Sequence, residues 1–237
     1  MTYLIANTSQ RNTARLAGLL YLILAITGAY SLFYVPSQII VSDVVVTSNN
    51  ILAHEFLFRM GITVDLISQV TAVVLVLVLY RLFKDVNEPL AKLMVAFVIV
   101  QVPVAFVIES FNITSLMILK GEVLKTLDLN QKYDFALLLR QVRHYEILLL
   151  EIFWGLWMLP LGVLAYKSGF IPRILGVLFI LGGIGYVIDS LVFLLLPDYH
   201  AFISQFLFVN GLTEIALILW LLIKGVKDKQ TQIAGEQ

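Results

Sequence analysis

Long apolar stretches that contain isolated carboxylates constrain this chain more than any other feature. Asp65, Glu109, Glu151, Asp189 and Glu214 each lie inside an apolar run that is long enough to cross a bilayer. A charge at the bilayer centre costs roughly 2.5–3.5 kcal/mol on insertion scales, so such residues normally face the interior of a helix bundle. The sequence therefore predicts a polytopic membrane protein with a polar interior.

The composition of the chain supports the same class. Of its 237 residues, 60% are hydrophobic and 14% are charged, whereas soluble domains average about 45–50% and 25%. Sixteen basic residues balance sixteen acidic ones, so the chain has no basic field that would attract nucleic acid. Cysteine is absent, which excludes disulfides, thiolate nucleophiles and zinc–thiolate sites. We expect membrane lipid around the protein and no cofactor or nucleic-acid partner, and the sequence does not indicate an oligomeric state.

The length of the apolar runs, together with the turn residues that separate them, predicts an all-α bundle of six transmembrane helices in a single domain over residues 1–237. Each run is near or above the ~20 residues that cross the hydrocarbon core. Turn residues such as Pro36, Lys120 with Gly121, and Pro197 separate the runs. The predicted spans are Thr13–Val35, Glu55–Phe83, Leu90–Leu119, Phe135–Tyr166, Pro172–Leu196 and Phe202–Val226.

Basic residues near the ends of the spans predict the orientation. Cytoplasmic loops carry an excess of Lys and Arg, and here one side holds far more of these residues than the other. We therefore expect a plasma-membrane protein with both termini in the cytoplasm. The richer side holds Arg11, Arg15, Arg81, Lys84, Lys92, Lys167, Arg173, Lys224, Lys227 and Lys229, and the other side holds Lys120, Lys125 and Lys132.

Two pairs of spans share a sequence pattern. The first and fifth spans begin with Arg-x-x-Gly, at Arg15 and Arg173, and the second and sixth share Phe-Leu-Phe-x-x-Gly-x-Thr, at Phe56 and Phe206. An acid follows that second motif in both cases. The first two and last two spans can therefore be parallel repeats, although apolar helices also resemble one another by chance. Transporter folds often place their site at such a repeat interface.

Polar residues of the spans fall on shared helix faces. At about 100° per residue, Arg140, Arg143, His144 and Glu151 lie within one sector of the fourth span. Given the predicted orientation, the polar residues fall in the outer half of the bundle or near its midplane, which predicts a water-accessible pocket that opens outward. The candidates for a ligand or proton site are Arg59, Asp65, Glu109, Arg140, Arg143, His144, Glu151 and Glu214.

Each of these side chains also has a structural interpretation. The arginines can extend from helix ends to the interface, although we expect Arg59 to pair with an acid inside the bundle, since an unpaired guanidinium at that depth would be costly. Asp65 and Glu214 can lock the bundle through hydrogen bonds between helices. Asp189 and Tyr186 share a face with Gly182 and Gly185, which favours a packed helix interface. His54, His144 and His200 lack the spacing of a metal motif, so we predict no metal site.

Three functions fit these patterns. In the first, the protein binds or carries a small anionic or proton-coupled solute, with Arg59, Arg140 and Arg143 holding the anionic group while Asp65, Glu151 and Glu214 titrate or pair. In the second, it is an intramembrane enzyme that acts on a lipid at the outer leaflet, with carboxylates as acid–base groups. In the third, it is a non-catalytic scaffold or partner subunit. The first function is favoured, and catalysis is the less favoured outcome.

Several segments resemble a known bacterial membrane family. Ile152–Gly162, Lys167–Gly176 and Gly182–Asp189 are similar to recurring segments of the family called domain of unknown function 4386, as are Asn50–Gly61 and Leu219–Gly225. The resemblance extends from about Arg11 to Val226 and implies a bacterial multi-span membrane protein. It implies no activity, so Arg59, Asp189 and Glu214 match family positions without gaining a role.

Overall fold

The protein is helical throughout the part of the chain that can be described. The computed structural model describes the backbone of residues 2–226 and the side chains of residues 10–226. Six of its helices are long and apolar enough to cross a membrane, and the described residues include no strand. The all-α fold with six spans is therefore confirmed. Lys227 and Lys229, which contributed to the predicted orientation, lie outside the described residues.

The helices are numbered here in chain order over the described residues. The six spans are α1, α3, α4, α5, α6 and α7, and α2 is a short helix between the first two. Helix α1 consists of Thr2–Ala29, the π-helical turn Tyr30–Tyr34 and Val35–Ile39. The next five helices are α2 (Val44–Ala53), α3 (Glu55–Phe83), α4 (Glu88–Leu119), α5 (Leu129–Ser168) and α6 (Arg173–Leu195). Helix α7 consists of Pro197–Ser204, the 3₁₀ turn Gln205–Leu207 and Phe208–Ile223.

Several helix ends differ from the predicted ones, and three of them have a local cause. Helix α1 continues past Pro36 to Ile39, because the π-helical turn before Pro36 widens the helix where the proline lacks an N–H. Helix α5 begins at Leu129, because Asp128 and Gln131 form a reciprocal cap in which each side chain accepts from the other's backbone N–H at 2.9–3.0 Å. Helix α7 begins at Pro197, a residue suited to the first turn.

The predicted breaks after α4 and α5 are confirmed by two glycines in the left-handed region. Gly121 has φ +71° and Gly169 has φ +72°. Beyond Gly121, the Glu122 N–H donates to the Met117 carbonyl at 3.0 Å, which is the long hydrogen bond of a Schellman cap. Glycine adopts this backbone conformation at little cost, and it ends both helices.

The chain divides into two compact units. The first unit contains the chain up to Leu22, Ala72–Ile99 and the chain from Glu151 onwards, and the second unit contains Ile23–Thr71 and Val100–Leu150. Helices α1, α3, α4 and α5 contribute residues to both units, whereas α6 and α7 belong to the first and α2 to the second. The single-domain organisation stays a prediction.

The core of the second unit joins α1, α2, α4 and α5. Hydrogen bonds hold the short α2 in place: Asn50 Nδ2 donates to the Ile39 carbonyl at 3.0 Å, and the Tyr133 hydroxyl donates to Asn49 Oδ1 at 3.2 Å. The Ile39 carbonyl is one of the groups left unpaired at the end of α1, so the Asn50 bond also caps that helix. The buried core residues are Val35, Ile39, Ile51, Leu116, Leu119, Tyr133 and Ala136.

In the first unit, glycines allow α5 and α6 to approach closely. A Cβ at Gly162 would lie 2.7 Å from the Gly176 carbonyl oxygen, and a Cβ at Gly183 would lie 2.8 Å from the Gly155 carbonyl oxygen. Real Cβ atoms do not come so close to a carbonyl oxygen. Small residues at such crossings let helix backbones pack directly against each other in a membrane.

The two copies of the proposed repeat have different surroundings. Gly18 in α1 packs against Leu222 of α7, whereas the matching Gly176 in α6 packs against Gly162 and Tyr166 of α5. Duplication of the hairpin therefore stays a hypothesis that rests on the sequence pattern.

Candidate functional site

A cavity of about 420 Å³ lies in the second unit, among α1, α2, α3, α4 and α5. This volume is within the range of small-molecule pockets. One part of its wall is polar, and the rest is apolar. The polar lining residues are Ser31, Glu109, Asn112, Arg140, Gln141, Arg143 and His144. The others are Leu32, Val35, Pro36, Ile39, Ile40, Ile51, Phe58, Gly61, Ile62, Leu137 and Ile147.

Glu109 is the buried acid of this cavity, and both of its oxygens have partners. Arg143 Nε on α5 donates to Glu109 Oε1 at 3.0 Å, and Asn112 Nδ2, one turn further along α4, donates to Oε2 at 2.9 Å. The Glu109 side chain is 3% exposed and that of Arg143 is 19% exposed. Buried charges of this kind are stable only when paired and hydrogen-bonded. Glu109 therefore holds Arg143 in place and neutralises it.

Two further acids lie near this pair. Asp65 on α3 is 8% exposed and accepts a hydrogen bond from the Ser31 hydroxyl at 3.2 Å. Asp65 and Glu146 both interact electrostatically with Arg143 and Glu109. The Glu146 Oε1 atom is buried and has no hydrogen-bond donor among the described side chains. The charge of Arg143 is thus surrounded by acids.

Arg140 is in a different position, although it lies one helical turn before Arg143 on α5. Its half-buried side chain lines the cavity. Over residues 10–226, no carboxylate lies within ion-pair distance of it, and the charged group that acts on it is the like-charged Arg143. The exposed His144 also lines this cavity. The cavity therefore contains one guanidinium whose charge has no protein counter-ion in the described chain.

Arg59 lies outside this cavity. Instead of reaching an acid on a neighbouring helix, its Nε donates to Glu55 Oε1 at 2.8 Å, one turn earlier in α3. The side chains are 49% and 32% exposed. Lys120 at the end of α4 binds the same carboxylate at 3.1 Å and Glu122 at 3.1 Å, and these hydrogen bonds raise the pKa of Lys120. The predicted pairing inside the bundle is wrong for Arg59, because an acid on its own helix is nearer.

The other predicted acids belong to the first unit. Asp189 on α6 is 1% exposed, and its Oδ2 lies 3.0 Å from Nε2 of His200 on α7. The carboxyl group of Glu151 on α5, which is 9% exposed, interacts with that of Asp189. Glu151 and Glu214 therefore do not line the cavity that contains Arg140.

Polar side chains of α1, α6 and α7 surround this carboxyl pair. The Tyr186 ring meets the Trp154 ring edge-on at 5.9 Å, and its hydroxyl interacts with Asn210 and Glu214. Glu214 also interacts with the buried hydroxyl of Tyr21. Asn210 Nδ2 donates to the Gly182 carbonyl at 3.3 Å. The Asn210 side chain leaves no room for a Cβ at position 182. Asp189 and Tyr186 therefore share a packed interface between α6 and α7.

Sequence reasoning missed Glu146, Ser31 and the pairing of His200. Glu146 is flanked by Arg143, His144 and Tyr145, so it does not stand out as an acid in an apolar run. The sequence does indicate its position, because Glu146 follows Arg143 by three residues and residues three apart are neighbours on a helix surface. In the described part of the chain, no three His, Asp or Glu side chains are arranged to hold a metal ion.

Comparisons with known proteins identify the family. The family model described as "Domain of unknown function (DUF4386)" matches residues 16–225. The chain belongs to this family. An uncharacterised protein from the archaeon Archaeoglobus fulgidus is 40% identical over 76 residues, which cover 32% of this chain and 44% of that protein. The chain thus spans less than half the length of this relative. No solved structure matches the chain.

Membership confirms the resemblance seen in the sequence. It also agrees with a multi-pass membrane protein, because the match covers all six spans apart from the first residues of α1. The similar archaeal protein leaves the bacterial origin a prediction. Neither comparison assigns an activity, so functional inference depends on the geometry of the two polar clusters.

Proposed function

We propose that this membrane protein binds a small amphiphilic anion in the cavity of the second unit, with Arg140 holding the acidic group. The observation that supports this function best is the cation without a counter-ion. Arg140 lines the cavity and has no acid within ion-pair distance in the described chain. A partly buried charge without a partner is costly. A bound anion would supply the missing charge.

The neighbouring pair of Glu109 and Arg143 leaves Arg140 as the group that is free to bind a ligand. Glu109 accepts from both Arg143 and Asn112, so these two donors are already occupied. Because Glu109 neutralises Arg143, Arg140 is the guanidinium of the cavity that is left to bind an anion. An arginine fork matches the geometry of carboxylate and phosphate groups. The polar part of the ligand would therefore carry one of these groups.

The rest of the cavity wall indicates an apolar body for the ligand. Most of the wall away from Arg140 is formed by aliphatic side chains and one phenylalanine, Phe58. Burial of apolar ligand surface contributes about 25 cal/mol per Å². An amphiphile of small-molecule size, with an acid at one end, complements both parts of the wall.

The location and orientation belong to the same proposal. The distribution of Lys and Arg supports a plasma-membrane protein with both termini in the cytoplasm. Most of the cavity wall is formed by the second halves of α1 and α4 and by the first halves of α3 and α5. In this orientation the ligand enters from the outer side. Transport of the bound anion would be the stronger form of the function.

Thermal unfolding in a neutral detergent tests the proposal, with octanoate and 1-octanol as matched probes. A ligand that binds the folded state raises stability by RT ln(1 + [L]/Kd), so octanoate should raise the melting temperature of the purified protein more than 1-octanol does. Arg140→Gln should weaken octanoate binding roughly 10- to 150-fold, because a hydrogen bond to a charged group contributes about 1.5–3 kcal/mol.

Arg59→Gln is the matched control, because Arg59 is also an arginine of the second unit but pairs with Glu55 outside the cavity. It should leave octanoate binding unchanged. Equal stabilisation by the acid and the alcohol, or undiminished octanoate binding by Arg140→Gln, would contradict the proposal. Turnover of an added lipid by the purified protein would favour the enzyme alternative. Loss of stability by Arg140→Gln without any ligand effect would favour the scaffold.

A further inference from the structure

Two oxygens of the buried carboxyl pair in the first unit have no hydrogen-bond donor in the described part of the chain. Asp189 is 1% exposed and Glu151 is 9% exposed, and the two carboxyl groups interact with each other. Glu151 Oε2 and Asp189 Oδ1 are both buried without a hydrogen-bond donor among the described side chains. An unpaired buried acceptor costs the full desolvation penalty of that group. The site therefore lacks a donor that could serve both oxygens.

The surrounding helices offer one cationic group. His200 on α7 places Nε2 3.0 Å from Asp189 Oδ2, and within the described side chains no Lys or Arg pairs with Asp189 or Glu151. The other titratable groups that face the cluster are Tyr186 on α6 and Glu214 on α7, and Tyr21 on α1 faces Glu214. None of these adds a positive charge. Two ionised carboxylates would leave the buried cluster with a net negative charge even beside a charged histidine.

We propose that Glu151, Asp189 and His200 form a proton-binding site, in which one proton is held between the two carboxyl groups and is exchanged with the surroundings through His200. A proton on either acid supplies the donor that the unpaired oxygens lack. When one carboxyl group holds this proton and His200 is an imidazolium, the other carboxyl group is ionised and balances the positive charge of His200. The cluster is then neutral. The proton belongs to the pair rather than to one acid, since such coupled groups titrate together.

The exposure of the three side chains gives the exchange route. The His200 side chain is 23% exposed and that of Asp189 is 1% exposed, so His200 is the member of the site that contacts the surroundings. The ring of Phe193 meets the His200 ring at 5.3 Å. When Nε2 gives its proton to Asp189 Oδ2, the ring is left neutral with its remaining proton on Nδ1. Once the partly exposed ring turns away from Asp189, Nε2 takes a proton from the surroundings, and the imidazolium is restored. Histidine is suited to this step, because its ring has two distinct nitrogens that can each carry a proton, and it often serves as a proton shuttle.

Infrared difference spectroscopy of the purified protein in detergent at neutral pH tests this site. Protonated and ionised carboxyl groups absorb separately, so each variant reports which form it has lost. Glu151→Gln should remove one carboxylic-acid group, because the amide supplies the donor and leaves Asp189 ionised beside His200. Glu109→Gln is the control: it should remove one ionised carboxylate, since Glu109 accepts from Arg143 and Asn112.

His200→Gln gives a second and opposite result. Without an imidazolium, neutrality of the buried pair requires a second proton, so this variant should gain one carboxylic-acid group. A purely structural histidine would produce no gain. Loss of an ionised carboxylate by Glu151→Gln, or no gain of acid by folded His200→Gln, would overturn the proposal. If Glu151→Gln does not fold, the His200→Gln spectrum alone decides. The octanoate measurement does not involve these residues, so the two proposals fail separately.

Discussion

At the residue scale, the two arginines of the cavity differ in whether an acid reaches them. Arg143 and Arg140 lie one turn apart on α5, but Glu109 binds Arg143 at 3.0 Å, while in the described chain no acid pairs with Arg140. The first arginine stabilises the fold through its pair. Arg140 carries a partly desolvated charge that a bound anion would stabilise. Their variants should therefore have opposite effects on the stability of the ligand-free protein.

Glu109→Gln should lower the free energy of unfolding by about 3–5 kcal/mol, because it leaves Arg143 as a buried charge without its closest partner. Chemical denaturation in detergent, followed by tryptophan fluorescence, measures this loss. Glu55→Gln is the control, since the pair of Glu55 with Arg59 is largely exposed and such pairs contribute little. Equal effects of the two substitutions would show that the Glu109 pair is not a buried one.

Arg140→Gln should instead raise the stability of the ligand-free protein, by an amount on the order of 1 kcal/mol, because it removes a partly buried charge without a counter-ion. The same denaturation experiment measures the gain. A decrease comparable to that of Glu109→Gln would mean that Arg140 has a structural partner, and it would argue against an anion site.

How far the sequence predicts the site is clearest from these same residues. Helical periodicity places Arg140, Arg143 and His144 on one stripe, and all three line the cavity. Periodicity does not reveal which acid on another helix meets which arginine, because Glu109 and Arg143 are 34 positions apart and their contact depends on helix packing. For Arg59 the partner is Glu55, one turn earlier on its own helix, and the sequence alone does not decide between such a local pair and an acid on a neighbouring helix.

At the element scale, glycines determine how closely α5 and α6 pack in the first unit. Gly155 and Gly162 of α5 face Gly183 and Gly176 of α6, with no room for a Cβ at any of them. In a membrane, where helices gain little from leaving apolar surroundings, close backbone packing is a main source of helix association. This interface supports the segment of α6 that carries Asp189.

Gly162→Ala should destabilise the protein by about 1–3 kcal/mol, because its Cβ would meet the Gly176 carbonyl oxygen at 2.7 Å and force the helices apart. Gly211→Ala in α7 is the matched control. A Cβ there has no neighbour within 4 Å, and alanine favours a helix over glycine by roughly 0.5–1 kcal/mol. Melting temperatures of both variants should move in opposite directions, and a shared direction would contradict the packing account.

The sequence predicts which segments span the membrane better than it predicts where the helices begin and end. The six spans follow from hydrophobic length, because a bilayer imposes that length on any helix that crosses it. The ends depend on local chemistry, such as the reciprocal cap of Asp128 and Gln131 or the π-helical turn before Pro36. The short helix α2 was not predicted, since it is too short to span and is held by side-chain contacts such as that of Asn50.

At the scale of the whole molecule, each of the two compact units has its own cluster of polar residues. The cavity with Arg140 belongs to the second unit, and the carboxyl pair with His200 belongs to the first. The sequence placed these residues in one half of the bundle but did not show that they divide. Membership of a family without an assigned function gives no further guidance. Anion binding and proton binding are accordingly separate properties with separate tests.

Reporter fusions test the proposed orientation, in which the cavity faces outward. With six spans and the observed Lys and Arg distribution, fusions at Asn87 and Gly225 should report a cytoplasmic location, and fusions at Asn49 and Asp128 an external one. Alkaline phosphatase, which is active outside the cytoplasm, and a fluorescent protein that matures inside give complementary signals. Activity of the phosphatase at Gly225 would reverse the orientation, and the cavity would then face the cytoplasm.

The most direct measurement of the central claim is the position at which a photoreactive medium-chain carboxylate attaches to the protein. After irradiation in detergent and digestion, mass spectrometry should find the probe on cavity-lining segments of α1 and α5, such as those around Leu32 and Leu137. Unlabelled octanoate should compete, and labelling should fall in Arg140→Gln but not in Arg59→Gln. Labelling that is confined to α6 and α7, or that is unaffected by Arg140→Gln, would contradict an anion site at Arg140.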